Sequence, residues 1–404
     1  MTTEWTEYRR FDRALVLKKE HRAGELVRRD GGVEFRYDPE YLAAGREPVA
    51  STLPLSEQST FRPSGAVPAY FAGLLPEGRR LQAVRTAVKT SFDDELTLLL
   101  AVGADPVGDV RVLPEGLAPE GVTPRVQVRR WSEVSFDEVF AEETGTEPDR
   151  VALPGVQPKA SARMISLPVR QAGGHLILKL DPPEFPHLCR NEWLMLQAAK
   201  ASGLAVVHAE LVTDRDGREA LAVRRFDRTS SGDLLAVEDA CQAMDRYPAE
   251  KYNLTTEEAC AALVAISDAP LAAARTLLRW VSFAYLSCNG DLHAKNLSVG
   301  ESESGLVQPT LTYDLPSSYP YGDVTLALPI NGRSREDVGR ADLLRLASFL
   351  RVPERAAAKV IDEVAERADL WLPRLSESGF DDRTLHKWQR AVEYRRDRLT
   401  GSAR

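Results

Sequence analysis

The chain has 404 residues, of which 43% are apolar and 28% are charged. This length and composition suffice for two or three domains with complete hydrophobic cores, and they exclude a wholly disordered chain. The formal net charge of −8 at pH 7 argues against a broad nucleic-acid-binding surface, so we do not expect the chain itself to bind DNA.

The cysteine pattern and the N-terminus both favour a cytoplasmic protein. Cys189, Cys241, Cys260 and Cys288 are scattered through apolar segments, without the close pairs of a zinc site or a small disulfide framework. We expect buried free thiols, which are typical of a reducing compartment. Met1 leads directly into charged residues, and no run of about 18 apolar residues predicts a membrane span. We therefore expect no membrane partner.

Residues 1–115 are predicted to form a small N-terminal α/β subdomain. Its strands are expected at residues 14–17, 26–27, 33–37 and 110–113, and its helices at residues 68–75, 77–90 and 94–102. The strand segments alternate apolar and polar residues between glycine-bearing turns, which is typical of a small antiparallel sheet. No group of residues in this unit points to chemistry.

A second domain is expected after a linker rich in proline and glycine at residues 114–124. Ser132 is a good N-cap for a short helix that runs to Glu143. Residues 116–237 would then form the small lobe of a two-lobe fold, and residues 238–404 would form a mainly helical large lobe. The large-lobe helices are predicted at residues 256–267 and 271–288 and at several places between residues 337 and 399.

Glycine and proline define a loop at residues 154–159, near the start of the small lobe. Its backbone N–H groups, including those of Gly155 and Val156, would approach a nucleotide phosphate together with the side chains of Gln157 and Lys159. The loop lacks the spacing of a Walker motif. An ordinary tight turn is therefore the alternative interpretation.

Lys179 is the one charged residue in the apolar strand predicted at residues 175–180. Burying an ammonium group is costly unless it is paired. The predicted partners are the phosphates of ATP and the carboxylate of Glu192, near the start of the next helix. The alternative is a lysine on an edge strand whose ammonium extends to solvent.

Strands at residues 209–213 and 220–223 would complete the small lobe, and residues 234–239 are the predicted crossing into the large lobe. In two-lobe phosphotransferases the backbone of this crossing commonly binds adenine. Glu238 and Asp239 are therefore candidate nucleotide contacts.

The most informative stretch begins where a buried helix meets the turn at Asn289. Asp291 is followed by Asn296 five positions later, and by Asp314 beyond a hairpin predicted from strands at residues 297–299 and 310–313. Kinase-type folds use this spacing for a catalytic base and two ligands of Mg²⁺. The pattern predicts Asp291 as the base, and Asn296 and Asp314 as the metal ligands.

Two more residues of the same loop are candidates: His293 as a catalytic residue and Lys295 as a nucleotide contact. An Asp and an Asn five positions apart arise by chance in most chains of this size, and isolated polar loop residues usually cap turns. However, a buried helix precedes this loop and Tyr313-Asp314 follows it. These three features together favour a phosphotransferase.

Nine motifs occur in an order that resembles the HipA family of serine/threonine kinases, the toxin components of bacterial toxin–antitoxin pairs. They are Phe35-Arg-Tyr-Asp38, Gly73-Leu-Leu-Pro-Glu-Gly78, Asp105-Pro-Val-Gly108, Gly155-Val-Gln-Pro-Lys159, Leu178-Lys179-Leu180, Arg225-Phe-Asp-Arg228, Glu238-Asp-Ala-Cys-Gln242, Asp291-Leu-His-Ala-Lys-Asn296 and Tyr313-Asp314. The resemblance extends over essentially the whole chain.

This resemblance implies an α+β, protein-kinase-like two-lobe fold that uses ATP and Mg²⁺ and carries a small N-terminal subdomain. It supports Lys179 as the phosphate-binding lysine, Asp291 as the base, and Asn296 and Asp314 as the Mg²⁺ ligands. It also implies a protein substrate, for which the family's best-known example is a glutamyl-tRNA synthetase. The implied partner is a HipB-like helix-turn-helix antitoxin, through which the chain would meet DNA only indirectly.

The nucleotide loop departs from the family pattern at Ala152. Related toxins carry a serine there that phosphorylates itself and shuts the enzyme down, whereas alanine has no hydroxyl to receive phosphate. Three interpretations stay open: this member lacks self-inactivation at that site, Ser161 substitutes, or the residue was changed deliberately. Ala152 is retained among the candidate nucleotide-binding residues.

Two other functions remain as alternatives to a protein kinase. The catalytic loop also resembles that of aminoglycoside and choline kinases, which indicates a small-molecule phosphotransferase. The third hypothesis is a kinase-like module that only sequesters a partner. The presence of Lys179, Asp291, Asn296 and Asp314 argues against a purely binding role.

Overall fold

The computed structural model describes residues 4–116, 126–144, 164–171, 174–335 and 337–401. The strands are Arg13–Lys18 (β1), His21–Arg29 (β2), Gly32–Tyr37 (β3), Thr60–Pro63 (β4), Val110–Pro114 (β5), Gln127–Val128 (β6), Ile165–Gln171 (β7), Gly174–Leu180 (β8), Ala209–Thr213 (β9), Glu219–Arg224 (β10), Val237–Asp239 (β11), Ser298–Glu301 (β12) and Val307–Pro309 (β13). The α-helices are Pro39–Ala43 (α1), Ala69–Gly73 (α2), Gly78–Val88 (α3), Glu95–Val102 (α4), Phe136–Thr144 (α5), Leu188–Ala201 (α6), Ala240–Ala243 (α7), Thr256–Ala265 (α8), Pro270–Leu286 (α9), Arg340–Phe349 (α10), Glu354–Glu366 (α11) and Asp382–Thr400 (α12).

The N-terminal strands form one antiparallel sheet in the order β4-β3-β2-β1-β5. In β3, Val33, Phe35 and Tyr37 are buried, whereas the residues between them are at least partly exposed. This period of two places the apolar face of the sheet against the helices. The ring of Phe35 lies 5.1 Å from that of Phe71 in α2.

The second sheet has the order β6-β7-β8-β10-β9 and packs against α6. Strand β8, which carries Lys179, is hydrogen-bonded to β7 on one side and to β10 on the other. An edge position for Lys179 is therefore wrong. In a central strand covered by a helix its ammonium group cannot simply extend into water, so it requires partners inside the protein.

Helix α9 is the centre of the large lobe and packs against α8, α10, α11 and α12. Trp280, Phe283 and Tyr285 of this helix are completely buried. Burial of each such side chain stabilises the fold by about 1.5–3 kcal/mol. Just after the helix, Cys288 adopts a left-handed conformation (φ 58°) that turns the chain into the loop carrying Asp291.

A hairpin follows the catalytic loop as predicted, but its second strand lies at different residues from those expected. That strand was expected at residues 310–313, whereas β13 ends at Pro309. Thr312 instead forms a parallel bridge with Val206. The chain therefore leaves the hairpin early to run beside the segment that follows α6, a contact distant in sequence.

The helix predicted from Ser132 to Glu143 begins later than expected. Residues 131–133 form a 3₁₀ turn, and α5 starts at Phe136. The backbone N–H of Phe136 donates to Oδ2 of Asp214 at 3.0 Å. A carboxylate from the distant β9–β10 turn thus caps this end of the helix, a role that the sequence pattern assigned to Ser132.

The cysteines and the membrane-spanning potential of the chain were also considered in the sequence. All four cysteines are buried and free, which confirms the predicted thiols. In the part of the chain that the structure describes, no helix has the length and apolar character needed to cross a membrane.

A buried charge network joins the N-terminal domain to the segment that follows β10. Arg228 donates to Asp105 and to Asp227, in both cases at 2.8 Å. Arg225 donates to Asp227 at 2.7 Å, and the backbone N–H of Gly108 donates to the same carboxylate at 2.9 Å. Burial opposes ionisation of Asp227, but Arg225 and Arg228 outweigh burial and hold the pKa of Asp227 below its ordinary value.

We predict that Asp227→Asn destabilises the protein by about 3–5 kcal/mol at pH 7, since it leaves two buried guanidinium groups short of counter-charge. The pKa of Asp227 is near 3.8 in the unfolded chain and lower in the folded protein. Its ionised carboxylate therefore stabilises the fold fully above pH 3.8, and this stabilisation is lost as the pH falls through the pKa of the folded state. The difference in unfolding free energy between wild type and Asp227→Asn, measured by urea denaturation, should therefore become smaller below pH 3.8.

The matched control is Asp245→Asn, which breaks the more exposed interdomain pair of Arg62 and Asp245. It should cost less than about 1 kcal/mol. Equal losses for both variants would contradict a special role for the buried network.

Candidate active site

A cavity of about 340 Å³ lies where the N-terminal domain, the β7–β10 sheet and the loop after α9 meet. It brings together most of the site residues predicted from the sequence: Lys179, Asp239, Asp291, His293, Lys295, Asn296 and Asp314. These residues are far apart in the chain, so their convergence is a property of the fold.

Lys179 lines this cavity and lies between two carboxylates. Its Nζ is 2.6 Å from Oε1 of Glu192, which lies on α6, and 2.8 Å from Oδ1 of Asp314. Burial alone would lower the pKa of Lys179, but Asp314 and Glu192 reverse this effect and raise it. The lysine is therefore a permanent cation. The predicted Lys179–Glu192 ion pair is present.

Asp291 is tied down by its neighbours in the loop. Its backbone N–H donates to Oδ1 of Asn289 at 2.7 Å, and Nδ2 of Asn296 donates to its carbonyl at 2.9 Å. The hydroxyl of Tyr252 donates to Oδ1 of Asp291 at 2.8 Å. Because the amide nitrogen of Asn296 is committed to the loop, its amide oxygen is the atom suited to a metal.

Asp314 adopts a left-handed backbone conformation, with φ 55°. This conformation is unfavourable for a residue with a Cβ, at a cost of about 1–3 kcal/mol. Its carboxylate forms an ion pair with Lys179 in this conformation. Before it, Tyr313 is held by its ring contact with Phe226 (5.4 Å between centroids) and by a hydrogen bond to the carbonyl of Lys295 at 3.1 Å.

His293 is a neutral imidazole at physiological pH. Burial and the nearby ammonium of Lys251 lower its pKa to about 3. The ring stands edge-on to Tyr252, with 5.1 Å between centroids. This position suits a hydrogen-bonding or packing role next to Asp291 rather than proton transfer at neutral pH.

Of the two nucleotide contacts predicted at the crossing between the lobes, Asp239 lies at the cavity and Glu238 does not. Asp239 lines the cavity and caps α7, where its Oδ1 accepts from the backbone N–H of Gln242 at 2.8 Å. The carboxylate of Glu238 instead accepts from the backbone and hydroxyl of Ser51 in the N-terminal domain, and Glu238 is not among the cavity-lining residues. Phe226, in the segment after β10, lines the cavity together with apolar side chains of β8 and β10 such as Ile177 and Val223.

Three residues of the site were not predicted from the sequence: Glu77, Lys251 and Tyr252. Glu77 of the N-terminal domain contacts the ammonium groups of Lys251 and Lys295, and Tyr252 binds Asp291. Glu77 belongs to a motif that marked the family resemblance, which was the only signal for it. No local pattern predicts that it contacts a loop more than 200 positions away.

The predicted nucleotide loop lies outside the described residues. This applies to Ala152, Gly155, Val156, Gln157 and Lys159, and these assignments remain predictions. The same holds for Ser161.

In the described ranges, no group of three or more His, Cys, Asp or Glu side chains is arranged to hold a metal ion. The predicted donors are one carboxylate, from Asp314, and one amide oxygen, from Asn296. This sparse set fits Mg²⁺, which usually binds one or two protein oxygens and completes its shell with phosphates and water.

Two family models match the chain. The HipA N-terminal domain model matches residues 14–113, and the HipA-like C-terminal domain model matches residues 151–372. The chain belongs to the HipA family. The predicted resemblance is thereby confirmed.

Relatives named as kinases align over most of the chain. A putative kinase, Y4dM, from Sinorhizobium fredii is 30% identical over 84% of this chain and 85% of its own length. The serine/threonine-protein kinase toxin HipA of Shewanella oneidensis is 28% identical over 75% of this chain and 74% of its own length. Kinase activity is thus supported for the family as a whole.

A solved structure of the Shewanella oneidensis HipA, HipB and operator DNA complex contains a similar chain. The TM-score is 0.74 at 22% identity, with 96% of this chain and 97% of the other chain covered. This likeness confirms the predicted α+β, kinase-like fold of HipA type.

We predict that Lys179→Met destabilises the protein by about 3–5 kcal/mol, because it leaves the fully buried Glu192 without its main counter-charge. The double variant Lys179→Met/Glu192→Met should cost clearly less than the sum of the two single variants, since no carboxylate is then left uncompensated at residue 192. Urea denaturation measures all three.

Arg190→Met is the matched control, because Arg190 lies on the same helix as Glu192 and forms a more exposed ion pair with Glu219 of β10. It should cost less than about 1 kcal/mol. If the loss of unfolding free energy in the double variant equals the sum of the losses in the two single variants, Lys179 and Glu192 are not a coupled buried pair.

Proposed function

We propose that this protein is an ATP-dependent serine/threonine protein kinase of HipA type that transfers the γ-phosphate of ATP to a protein hydroxyl. One observation carries the proposal: Lys179, Asp291, Asn296 and Asp314 line a single cavity. These side chains supply the cation, base and metal ligands that phosphoryl transfer requires.

In this proposal the small lobe binds the nucleotide. The apolar side chains of Ile177, Val223 and Phe226 line the part of the cavity suited to an adenine ring. Lys179 donates to phosphate oxygens, and Glu192 keeps its ammonium in place because both carboxylate oxygens lie within 2.9 Å of Nζ.

The large lobe performs the proton transfer. Asp291 accepts the proton of the attacking hydroxyl. The hydroxyl of Tyr252 donates to Oδ1 of that carboxylate and orients it. Asn296 and Asp314 would hold Mg²⁺, which neutralises negative charge on the phosphates when it is bound.

We further infer a small antitoxin as the partner of this chain. The similar solved structure is a complex of HipA with HipB and operator DNA. The net charge of −8 disfavours contacts between this chain and the phosphate backbone of DNA, so DNA would be bound through the partner. An aminoacyl-tRNA synthetase is the candidate protein substrate, and the cytoplasm is the proposed location.

Asp291→Asn should reduce phosphotransfer by at least about 100-fold, because the amide cannot accept the hydroxyl proton. Binding of ATP should persist, since Lys179 and Asp314 are unchanged. The purified protein is incubated with γ-labelled ATP and Mg²⁺, and label is followed in candidate synthetases and in a small-metabolite extract.

The matched control is Asp233→Asn, which alters an exposed carboxylate in a local turn. Equal labelling by wild type and Asp291→Asn would refute the assignment of the base. Label in metabolites without any labelled protein would favour the small-molecule phosphotransferase.

Tyr252→Phe should lower kcat by about 10- to 100-fold, because it removes a hydrogen bond to a charged carboxylate. The KM for ATP should change little, since the hydroxyl acts on Asp291. Tyr247→Phe is the matched control, as the hydroxyl of Tyr247 donates to the carbonyl of Val67. If Tyr252→Phe retains the wild-type kcat, Tyr252 does not orient the base.

A further inference from the structure

We infer that the N-terminal domain completes the active site, with Glu77 as a positioning residue that binds Lys251 and the catalytic-loop residue Lys295 and so holds the loop in place. This inference rests on the proposed kinase function and extends it. It assigns the N-terminal domain a part in phosphotransfer itself.

Glu77 lies immediately before α3, in the segment that runs into the cavity from α2. Its Oε1 is 3.0 Å from Nζ of Lys295, and its other oxygen contacts Nζ of Lys251. Lys295 also donates to the carbonyl of Gly73 at 3.2 Å. One segment of the N-terminal domain thus binds two lysines of the large lobe.

The charges in this cluster depend on one another. Burial alone would raise the pKa of Glu77, but Lys295 and Lys251 outweigh it and lower the pKa to about 2. Glu77 is therefore ionised at physiological pH. Without this carboxylate, the two ammonium groups that converge on it would repel each other.

Each of the two lysines is coupled to a proposed reacting group. Lys295 immediately precedes Asn296, and its carbonyl accepts from the hydroxyl of Tyr313, the residue before Asp314. Lys251 immediately precedes Tyr252, which donates to Asp291. The carbonyl of Lys251 also accepts from the N–H of Ala294 at 3.2 Å.

The close approach of the N-terminal domain at this point has a second, independent sign. A Cβ added to Gly73 would lie 2.8 Å from the side chain of Gln242, which is closer than real Cβ contacts. Nε2 of the same glutamine donates to the carbonyl of Tyr70 at 3.0 Å. The end of α2 therefore packs closely against the side chain of Gln242 in α7.

The ion pair of Lys19 and Glu301 provides a comparison. It also joins the N-terminal domain to the large lobe, at 2.8 Å, but neither residue lines the cavity. If Glu77 served only to dock the domain, loss of either carboxylate would have the same effect on catalysis. If Glu77 positions the loop, only its own loss reduces turnover.

The test compares Glu77→Gln with Glu301→Gln in the full-length protein. Glu77→Gln should lower kcat by about 10- to 100-fold, because a small displacement of reacting groups has an effect of this size. The KM for ATP should change less than about threefold, since the Lys179 side of the cavity is untouched. Glu301→Gln should retain the wild-type kcat.

Hydrogen exchange of the amides at residues 289–297 provides a readout that does not need activity. Glu77→Gln should accelerate this exchange, and Glu301→Gln should not. Identical kcat values and identical exchange for the two variants would overturn the inference. If the wild type transfers no phosphate, the proposed function fails, but the exchange result still decides whether Glu77 holds the loop.

Glu77→Asp covers the case in which Glu77→Gln does not fold. It keeps the charge but withdraws the carboxylate by one methylene, so its kcat should lie between those of the wild type and the glutamine variant. A wild-type kcat together with wild-type exchange in Glu77→Asp would show that the position of the carboxylate does not matter, which contradicts the inference.

Discussion

The buried ammonium group of Lys179 is the constraint on which the site depends. It lies on the central strand of the small-lobe sheet, where water cannot neutralise it, so the fold must bring carboxylates to it. Glu192 comes from the helix packed on that sheet, and Asp314 comes from the large lobe. One cation therefore fixes the relative positions of a strand, a helix and the segment that carries a proposed metal ligand.

The N-terminal domain contacts the kinase region on two sides of the same cavity. On one side, Asp105, which lines the cavity, takes part in the buried network with Arg228. On the other side, Glu77 binds Lys251 and Lys295 at the catalytic loop. Both contacts are ionic and mostly shielded from solvent, where the loss of one partner is costly. The N-terminal domain therefore contributes lining residues to the cavity as well as ionic contacts with the rest of the chain.

The sequence predicted what depends on local spacing. The interval from Asp291 to Asn296, and the buried helix before it, can be read along the chain because both arise from short-range geometry. Glu77 and Tyr252 were missed because their roles come from contacts across many positions, for which a single sequence contains no periodic signal. The start of α5 was misplaced for the same reason: the carboxylate that caps Phe136 belongs to Asp214, in a different hairpin. Long-range contacts were thus the main source of error, and they also account for the wrong strand at residues 310–313, whereas the fold class was correct.

The central claim is that Asp291, Asn296 and Asp314 surround a metal-bound nucleotide that Lys179 anchors. Calorimetric titration of ATP into wild type and Asp314→Asn, each with and without Mg²⁺, tests this claim most directly. The account predicts that Mg²⁺ strengthens ATP binding to the wild type, and that Asp314→Asn loses this gain while it retains binding of metal-free ATP. An unchanged effect of Mg²⁺ in Asp314→Asn would contradict the account.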